Sequence, residues 1–162
     1  MTDTFVFGVG YLGQRYLDLN ENARGLTRRD FDLDSDTGFS VRLPQRYNMI
    51  YTAPPSRNSI SDIRLERLLA NLDPLPQRFI YISTTGVYGD HGGAVVNEET
   101  PVDPGADRSA RRVAAEKALE AWAAESGCTA IVLRVPGIYG PGRLGIERIR
   151  EQVPIVREED VG

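Results

Sequence analysis

Short runs of apolar residues alternate along this chain with longer stretches in which apolar residues recur every three or four positions. The runs have the length of strands and cover residues 4–7, 23–27, 48–53, 78–83 and 130–135. The longer stretches predict helices over residues 11–20, 59–72 and 106–125. Residues 31–46 fit neither pattern, and one short strand with an abbreviated crossover is an open interpretation. The alternation predicts an α/β fold, with a mostly parallel sheet covered by helices on both faces.

The helical stretches also predict which side chains face the core. Over 59–72 the apolar residues at helical spacing are Ile60, Ile63, Leu65, Leu68, Leu69 and Leu72. In the longest helix we expect Val113, Leu119 and Trp122 on the inner side. Such stripes are typical of helices that pack one face against a sheet.

Length, charge and cysteine content narrow the class of protein. A chain of 162 residues is long enough for one domain with a hydrophobic core. A net charge of −4 argues against a general nucleic-acid binder, which usually carries a basic surplus. The longest apolar runs are far short of a membrane span, and the N-terminus lacks the basic segment of a signal peptide. Because the single Cys128 allows no internal disulfide, we expect a cytoplasmic protein with a buried structural thiol.

The first strand ends in a glycine-rich turn. Gly8, Gly10 and Gly13 match the pattern G-x-G-x-x-G, with Tyr11 and Leu12 inside it. A strand precedes the turn and a helix follows, which is the context that gives the pattern its meaning. The first glycine allows a tight turn, the second lets a pyrophosphate approach the backbone, and the third lets helix and strand pack closely. We therefore predict a dinucleotide site in a Rossmann-type doubly wound sheet; a plain strand-to-helix turn is the alternative.

The end of the second strand indicates which dinucleotide binds. An acidic residue there binds the ribose 2′-hydroxyl of NAD, whereas an arginine accommodates the 2′-phosphate of NADP. Arg28 and Arg29 stand where the acid would be, and a guanidinium suits a phosphate. We therefore favour NADP over NAD. Asp30 and Asp32 are near enough to keep NAD open, and a solvated arginine pair is the alternative.

Three later segments carry a more specific pattern. They read ISTTGVYGD over 82–90, NEETP over 97–101 and LRVPGIYGPG over 133–142. Together with the glycine turn, they closely resemble the extended short-chain dehydrogenase/reductase superfamily, in its NAD-dependent epimerase/dehydratase group. The resemblance covers nearly the whole chain and implies a Rossmann sheet followed by a smaller substrate lobe. We accordingly expect a Rossmann domain over 1–143 and the start of an incomplete lobe over 144–162.

The resemblance implies roles for residues at the strand ends. Ala53 and Pro54 would line the cofactor, and Pro136 would lie near the nicotinamide. Thr84 matches the serine or threonine that hydrogen-bonds the reacting oxygen of the substrate. A polar cap at the end of the strand is the alternative interpretation of Thr84.

The longest helix departs from the pattern of the family. Relatives carry Tyr-x-x-x-Lys there, in which the tyrosine is the general acid/base and the lysine lowers its pKa and holds the nicotinamide ribose. Arg108 and Arg112 stand at these two positions, and no tyrosine occurs from 89 to 138. Arg112 keeps the charge of the lysine, but a guanidinium at position 108 stays protonated and cannot exchange a proton. The resemblance therefore implies an atypical member that lacks the usual proton donor.

Three arginines near the start of this helix also oppose its dipole, which favours acidic residues there. Arg108, Arg111 and Arg112 have a rationale if they face the cleft for cofactor and substrate, where anions would offset the dipole. The alternative is a helix that begins earlier, at Asp103-Pro104, with the arginines solvated a turn or more inside it.

The remaining candidates carry less chemistry. His91 is the only histidine, in a glycine-rich loop, so we expect an exposed residue and no zinc site. Tyr88 and Tyr139 belong to the motifs, but we expect them to pack first. Few residues follow Gly142, so we expect this chain to lack most of the substrate lobe, either as a fragment of a longer protein or as a naturally truncated form. An uncovered sheet edge would then favour self-association into a homo-oligomer.

Two functions fit these observations. The first is a cytoplasmic NADP-binding protein whose full-length form acts as a reductase, epimerase or dehydratase on a small polar or sugar-nucleotide substrate. The second is a protein that binds NADPH without turnover, as a sensor or partner-binding module. A third interpretation, a fragment with an empty site, predicts no cofactor affinity.

Overall fold

Five parallel strands form the centre of the molecule. The computed structural model describes residues 2–35, 37–57, 59–144 and Arg150. The strands are β1 (Asp3–Phe7), β2 (Ala23–Leu26), β3 (Tyr47–Tyr51), β4 (Arg78–Thr84) and β5 (Thr129–Val135). The helices are α1 (Tyr11–Leu19), α2 (Ile63–Ala70) and α3 (Asp107–Ser126), and a single 3₁₀ turn covers Thr85–Val87. The predicted α/β class is confirmed.

The order of the strands places the site. The order is β2-β1-β3-β4-β5, and all neighbouring strands are parallel. β2 is added on one side of β1, whereas β3, β4 and β5 are added in turn on its other side. The direction in which strands are added therefore reverses between β1 and β3. In doubly wound sheets, ligands bind outside the carboxyl ends of the strands at this switch point. Here that point lies beside Gly8 and Thr52, which follow β1 and β3.

The main core lies between one sheet face and helices α2 and α3. Alternate strand residues point into it because side chains alternate across a strand. Most are aromatic: Phe5, Phe7, Tyr47, Tyr51, Phe79 and Tyr81. The Tyr51 ring stacks on Phe7 at 6.1 Å and on Tyr81 at 5.9 Å between ring centroids. Rings in this arrangement contribute beyond the area they bury, so they fix β1, β3 and β4 side by side.

The opposite sheet face is covered unevenly within the described part of the chain. α1 packs there against β1 and β2, with Gly13 close to Val6. Ile80 and Ile82 point to the same face and are only half-buried. Leu133, the β5 partner of Ile82, is 44% exposed. This apolar surface next to the outer strand β5 bears on self-association, which stays a prediction.

The helix expected over 59–72 begins later than predicted. Asp62 is its N-cap, and the carboxylate accepts a hydrogen bond from the Leu65 N–H at 3.2 Å. Ile60 therefore precedes the helix and is 91% exposed, and Ile63 is 42% exposed. Their predicted inward orientation is wrong because Ile60 lies before the helix, and Ile63, two residues before the buried Leu65, lies on the opposite side of the helix at about 100° per residue. The leucines that follow are buried as predicted.

The longest helix begins close to its predicted start. α3 starts at Asp107, after the N-cap Ala106. The alternative start at Asp103-Pro104 is wrong, because the Asp103 N–H donates to the Val87 carbonyl at 3.0 Å and holds this segment against the 3₁₀ turn. The inner side chains predicted for α3 do pack inwards: Val113, Leu119 and Trp122. Arg108, Arg111 and Arg112 thus lie in its first two turns.

The structure also bears on the predictions for the 31–46 segment, for Cys128 and for the two motif tyrosines. The described residues of 31–46 contain no strand, although Phe31 and Leu43 are buried in the core. Cys128 is half-buried rather than buried, its thiol donates to the Pro76 carbonyl at 3.2 Å, and burial raises its pKa; its structural role stays a prediction. Tyr88 is buried as predicted. Tyr139, in the loop that follows β5, is 81% exposed, so its predicted packing role is wrong. Most of the predicted substrate lobe, 145–149 and 151–162, lies outside the described residues.

A buried charge at the start of α2 gives a test of this packing. Asp62 is 1% exposed, and its second oxygen, Oδ2, has no hydrogen-bond partner among the described residues. Burial raises the pKa of Asp62 above its usual range. A raised folded-state pKa means that the charged form costs stability at neutral pH, and that this cost disappears as pH falls through the folded-state pKa.

We therefore expect Asp62→Asn to increase the free energy of unfolding at pH 7, because asparagine keeps the cap and removes the charge. The advantage over wild type should shrink as the pH is lowered. Asp62→Ala is the matched control, and it should lose about 1 kcal/mol through the missing cap. Urea unfolding from pH 7 to pH 4 measures all three proteins. An Asn variant less stable than wild type at every pH would show that the charge is stabilising.

Candidate functional site

The glycine turn joins β1 to α1 with very little free space. Gly8 has a φ of +94°, the left-handed region that glycine adopts without a steric penalty. A Cβ at Gly8 would lie 2.6 Å from the backbone N of Ala53, and a Cβ at Gly13 would lie 2.6 Å from the Gly8 carbonyl oxygen. A Cβ at Gly10 would meet nothing within 4 Å. Gly8 and Gly13 thus serve backbone packing, and Gly10 leaves an open approach to the backbone.

The N-terminus of α1 reaches this opening without a protein anion. Gly10 is the N-cap and offers no side-chain hydrogen bond, and the first turn contains no acidic residue. The N–H groups of a first helical turn carry a partial positive charge. The turn therefore has the electrostatics of an anion site at a helix N-terminus.

A cleft of about 780 Å³ opens at the carboxyl ends of β1, β3, β4 and β5. Its walls come from the turn after each strand and from the first turns of α1 and α3. The predicted site residues that line it are Gly10, Tyr11, Leu12, Pro54, Thr84, Arg108, Arg112 and Pro136. The parallel sheet brings these residues together because all of its strands end at the same edge.

The wall of this cleft is basic. The described residues that line it include no aspartate or glutamate and five arginines: Arg57, Arg108, Arg111, Arg112 and Arg143. The Arg143 guanidinium lies over the Tyr11 ring, 5.3 Å from its centroid, so the loop after β5 reaches across to α1. Sequence analysis missed Arg57 and Arg143, because both lie in irregular segments where periodicity gives no orientation. A basic wall without carboxylates raises the local concentration of anions.

Thr84 ends β4 at the floor of the cleft. Its Oγ1 accepts a hydrogen bond from the Gly86 N–H at 3.2 Å, so it caps the 3₁₀ turn as the alternative interpretation expected. A threonine hydroxyl can accept and donate at the same time, and its own proton remains for a second acceptor. Capping and a role in the cleft are therefore compatible. The hydrogen bond from Gly86 holds the Thr84 hydroxyl oxygen in place.

A buried polar network supports the floor from below. Glu116 of α3 accepts a short hydrogen bond from the Ser83 hydroxyl and pairs with Arg134 of β5 at 2.8 Å. Arg134 also donates to the Tyr88 hydroxyl at 2.9 Å and lies over its ring. Glu116 raises the pKa of Arg134 further above its usual range, so Arg134 stays charged. The network ties α3, β4 and β5 to the segment that carries Thr84, and sequence analysis did not find it.

Arg112 is held against the end of β4. Its Nη1 donates to the Tyr81 hydroxyl at 2.9 Å and to the Ile82 carbonyl at 3.1 Å. Burial raises the pKa of Tyr81 to about 12 although Arg112 acts in the opposite direction, so this tyrosine stays protonated at neutral pH. Tyr81 is fully buried and cannot contact a substrate. It therefore does not replace the tyrosine that is absent at position 108, where the exposed Arg108 lines the cleft.

A second pocket of about 280 Å³ adjoins the ends of β1 and β2. Of the predicted site residues, it is lined by Gly8, Arg28 and Ala53. Arg28 pairs with Asp32 at 3.2 Å and with Asp34 at 2.5 Å. Sequence analysis missed Asp34 and also Arg64 of α2, which lines the pocket and pairs with Asp34. Their proximity depends on how the 31–46 segment packs against α2, which no local pattern shows.

Three further predicted residues lie away from both pockets. Arg29 is exposed and lines neither, and Gly13 is buried beneath the turn. The Asp30 carboxylate accepts hydrogen bonds from the Thr27 N–H and hydroxyl, both at 2.8 Å, and the first of these lowers its pKa. Asp30 therefore shapes the end of β2, and Asp32 is the acid that reaches the pocket.

Two other classes of site find no support in the described residues. No group of three histidine, cysteine or acidic side chains there is arranged to hold a metal ion, and His91 is exposed as expected. None of the helices in that part of the chain is long and apolar enough to cross a membrane.

Comparison with known proteins gives a consistent picture. A family model described as the NAD dependent epimerase/dehydratase family matches residues 57–157. The dTDP-glucose 4,6-dehydratase of Streptomyces niveus is 38% identical over 64 residues, which are 40% of this chain and 19% of that protein.

Solved structures share the fold. RMD from Pseudomonas aeruginosa, solved with NADPH, superposes with a TM-score of 0.71 at 22% identity, over 95% of this chain and 62% of that one. UDP-glucuronic acid 4-epimerase from Bacillus cereus, solved with NAD, has a TM-score of 0.68 at 18% identity, over 96% of this chain and 64% of that one. The chain thus spans less than two thirds of the length of these proteins.

The glycines allow folding to be separated from ligand approach. We expect Gly8→Ala to lower the free energy of unfolding by more than about 1 kcal/mol, because alanine resists the positive φ and its Cβ meets backbone. Gly10→Ala should change stability by less than about 1 kcal/mol, because its Cβ meets nothing. It should instead weaken the binding of NADPH and NADH at least about tenfold, since the Cβ projects where a pyrophosphate approaches. Urea unfolding and calorimetric titration measure the two effects. Normal cofactor affinity in Gly10→Ala would place the pyrophosphate elsewhere.

Proposed function

Because the chain belongs to the NAD-dependent epimerase/dehydratase family, we propose that it is the cofactor-binding part of an atypical member that prefers NADP to NAD. The observation that carries the proposal is the glycine turn, which opens at Gly10 between two adjoining pockets. The cofactor-binding domain would cover 1–143, and 144–162 would begin the substrate lobe.

The two pockets fit the two halves of a dinucleotide. The smaller pocket lies at the ends of β1 and β2, where the adenosine ribose of a Rossmann cofactor binds. The larger cleft begins at Gly10 and the start of α1, which suit the pyrophosphate, and continues to Pro136, where the nicotinamide would lie. Gly8 and Ala53 are in backbone contact at the junction, so a cofactor would pass over the switch point.

The preference for NADP rests on the charge of the smaller pocket. Arg28 lines it at the end of β2, where a guanidinium accommodates a 2′-phosphate. Arg64 brings a second guanidinium to the same pocket from α2. Asp32 also lines the pocket and is the residue that would accept a hydrogen bond from a free 2′-hydroxyl. Two arginines favour binding of the 2′-phosphate. Their ion pairs with Asp32 and Asp34 reduce the expected difference in affinity between NADP and NAD.

The larger cleft has part of the chemistry of the family. A bound nicotinamide would supply hydride transfer to or from a substrate carbon. Thr84 would donate its hydroxyl proton to the oxygen on that carbon, since its cap leaves this proton unused. Arg112 holds a fixed positive charge at the end of β4, where it would contact the ribose or an anionic group of the substrate. Arg108 would bind an anion, and the proton would have to come from water or from a residue of the substrate lobe.

The substrate class follows from the charge of the same wall. Five arginines suit a ligand that carries phosphate or carboxylate groups. The dTDP-glucose dehydratase and UDP-glucuronic acid epimerase that the chain resembles are named for sugar nucleotides. A small polar or sugar-nucleotide substrate would therefore fit the full-length protein. We expect such a protein to work in the cytoplasm and to form homo-oligomers.

The second candidate is a protein that binds NADPH without turning over a substrate. The observation that favours it is Arg108, which lines the cleft at the position of the usual acid/base. A guanidinium cannot exchange a proton at neutral pH. Cofactor binding would then serve a sensor or a partner-binding module.

Cofactor preference is tested by calorimetric titration of NADPH and NADH. We expect NADPH to bind wild type about tenfold more tightly than NADH, because a guanidinium–phosphate pair adds a charge-assisted bond. Arg28→Ala should remove the difference and leave NADH affinity in place. Arg29→Ala is the matched control and should behave as wild type, since Arg29 lines neither pocket. Equal affinities in wild type would reject the preference, and no binding of either cofactor would reject a dinucleotide site.

Turnover is tested with UDP-glucose that carries deuterium at sugar C4, incubated with NADP⁺ or NAD⁺. The reduced cofactor acquires the label only if hydride transfer occurs. We expect slow labelling in wild type, and a rate at least about 100-fold higher in Arg108→Tyr/Arg112→Lys, because a positioned acid/base contributes about this factor. Thr84→Ala is the control that should suppress labelling. Cofactor binding without labelling in wild type or in the double variant would favour the non-catalytic candidate.

A further inference from the structure

Asp34 occupies an unusual place in the smaller pocket. One of its oxygens accepts hydrogen bonds from Arg28 Nη2 at 2.5 Å and from Arg64 Nη2 at 2.9 Å. The other oxygen accepts from Arg64 Nε at 2.7 Å. A carboxylate held by two guanidinium groups, bidentately by one of them, has the arrangement in which arginines bind a phosphate. The three residues all line the pocket.

We propose that Asp34 is an internal competitor for the 2′-phosphate of NADP, and that Arg64 is the second arm of the phosphate site beside Arg28. The carboxylate fills the position between the two arginines, and the 2′-phosphate displaces it. This inference rests on the proposed preference for NADP; it adds Asp34 as a competitor and gives Arg64 a direct contact with the phosphate.

The accessibility of the three groups allows the exchange. The side chains of Asp34 and Arg28 are 39% and 71% exposed, and that of Arg64 is 29% exposed. None is locked in the core, so the carboxylate can move into solvent while the guanidiniums stay at the pocket wall. Pairs this exposed contribute at most about 1 kcal/mol each, which a doubly charged phosphate can outweigh.

The surrounding loop can keep its shape when Asp34 moves. The Asp32 carboxylate accepts the backbone N–H of Asp34 at 3.0 Å and the Nε of Arg28 at 3.2 Å. The Arg67 guanidinium donates to the Leu33 carbonyl at 2.5 Å, which fastens the loop to α2 independently of Asp34. The Asp34 side chain is therefore not required to hold the loop on α2.

The charges favour a phosphate only after this displacement. Arg64 holds the pKa of Asp34 below its usual range, so Asp34 is ionised at neutral pH. Arg28 and Arg64 are then balanced by Asp32 and Asp34, and the pocket carries no net charge from these four groups. Loss of the Asp34 charge would leave one guanidinium in excess for an incoming phosphate. A free 2′-hydroxyl would gain nothing from that excess.

The experiment titrates wild type, Asp34→Asn and Arg64→Gln with NADPH and NADH, and with 2′,5′-ADP and 5′-AMP as probes of the adenosine end. We expect Asp34→Asn to increase the affinity for NADPH and 2′,5′-ADP about three- to tenfold, with less than about twofold change for NADH and 5′-AMP. Arg64→Gln should lower the affinity for the two phosphorylated ligands about tenfold and spare the other two. Asp18→Asn, on the exposed face of α1, is the control for a general change of net charge.

The outcomes separate this inference from the proposed function. If wild type prefers NADPH and Asp34→Asn lowers or does not change NADPH affinity, the competitor role is overturned while the preference stands. If wild type does not prefer NADPH, the proposed preference fails; a gain of NADPH affinity in Asp34→Asn still supports the competitor role, and no gain overturns it. Unaltered NADH affinity, or an unaltered thermal unfolding midpoint where NADH does not bind, shows that each variant is folded. An Arg64→Gln variant that binds both cofactors as wild type does would remove Arg64 from the site.

Discussion

The backbone of Gly8 lies so close to the backbone of Ala53 that no side chain fits between the ends of β1 and β3. The Thr52 N–H donates to the Phe7 carbonyl at 2.8 Å, which continues the pairing of these strands up to the turn. This contact sets the position of Gly10 and of the first turn of α1. It also divides the cleft at the strand ends into the two pockets. Both pockets depend on it, because Ala53 lines one and Thr52 and Pro54 line the other.

The larger cleft combines a rigid floor with a basic wall. The Ser83, Glu116, Arg134 and Tyr88 network holds the end of β4, so the Thr84 hydroxyl has a fixed place. Buried polar networks of this kind are rigid when every member is satisfied. In the proposed site, Arg108 carries a permanent charge where the resemblance to the family leads us to expect a tyrosine that exchanges protons. The side chains that line the cleft therefore suit anion binding better than proton transfer.

The arginines near the start of α3 oppose the helix dipole, which on its own would be mildly unfavourable. The surroundings of these arginines partly offset this unfavourable interaction with the dipole. Arg112 donates to a backbone carbonyl and a tyrosine hydroxyl at the end of β4, and Arg108 and Arg111 face a cleft suited to anions. In the smaller pocket, by contrast, Asp32 and Asp34 neutralise Arg28 and Arg64 through ion pairs. Within the described residues, the cleft therefore contains arginines with no acidic side chain among its lining residues, next to a smaller pocket whose arginines are paired.

The sequence by itself determined the α/β class, the order of strands and helices and the glycine turn, because these depend on periodicity and on steric requirements of single residues. It also determined the absence of tyrosine at position 108. A local signal also sets the start of α2, because the Asp62 side chain caps the helix and leaves Ile60 outside it. Only the tertiary structure decided that Arg28 and Arg64 both pair with Asp34. Side chains about thirty residues apart meet only when the sheet and α2 bring them together, and no local pattern encodes that distance.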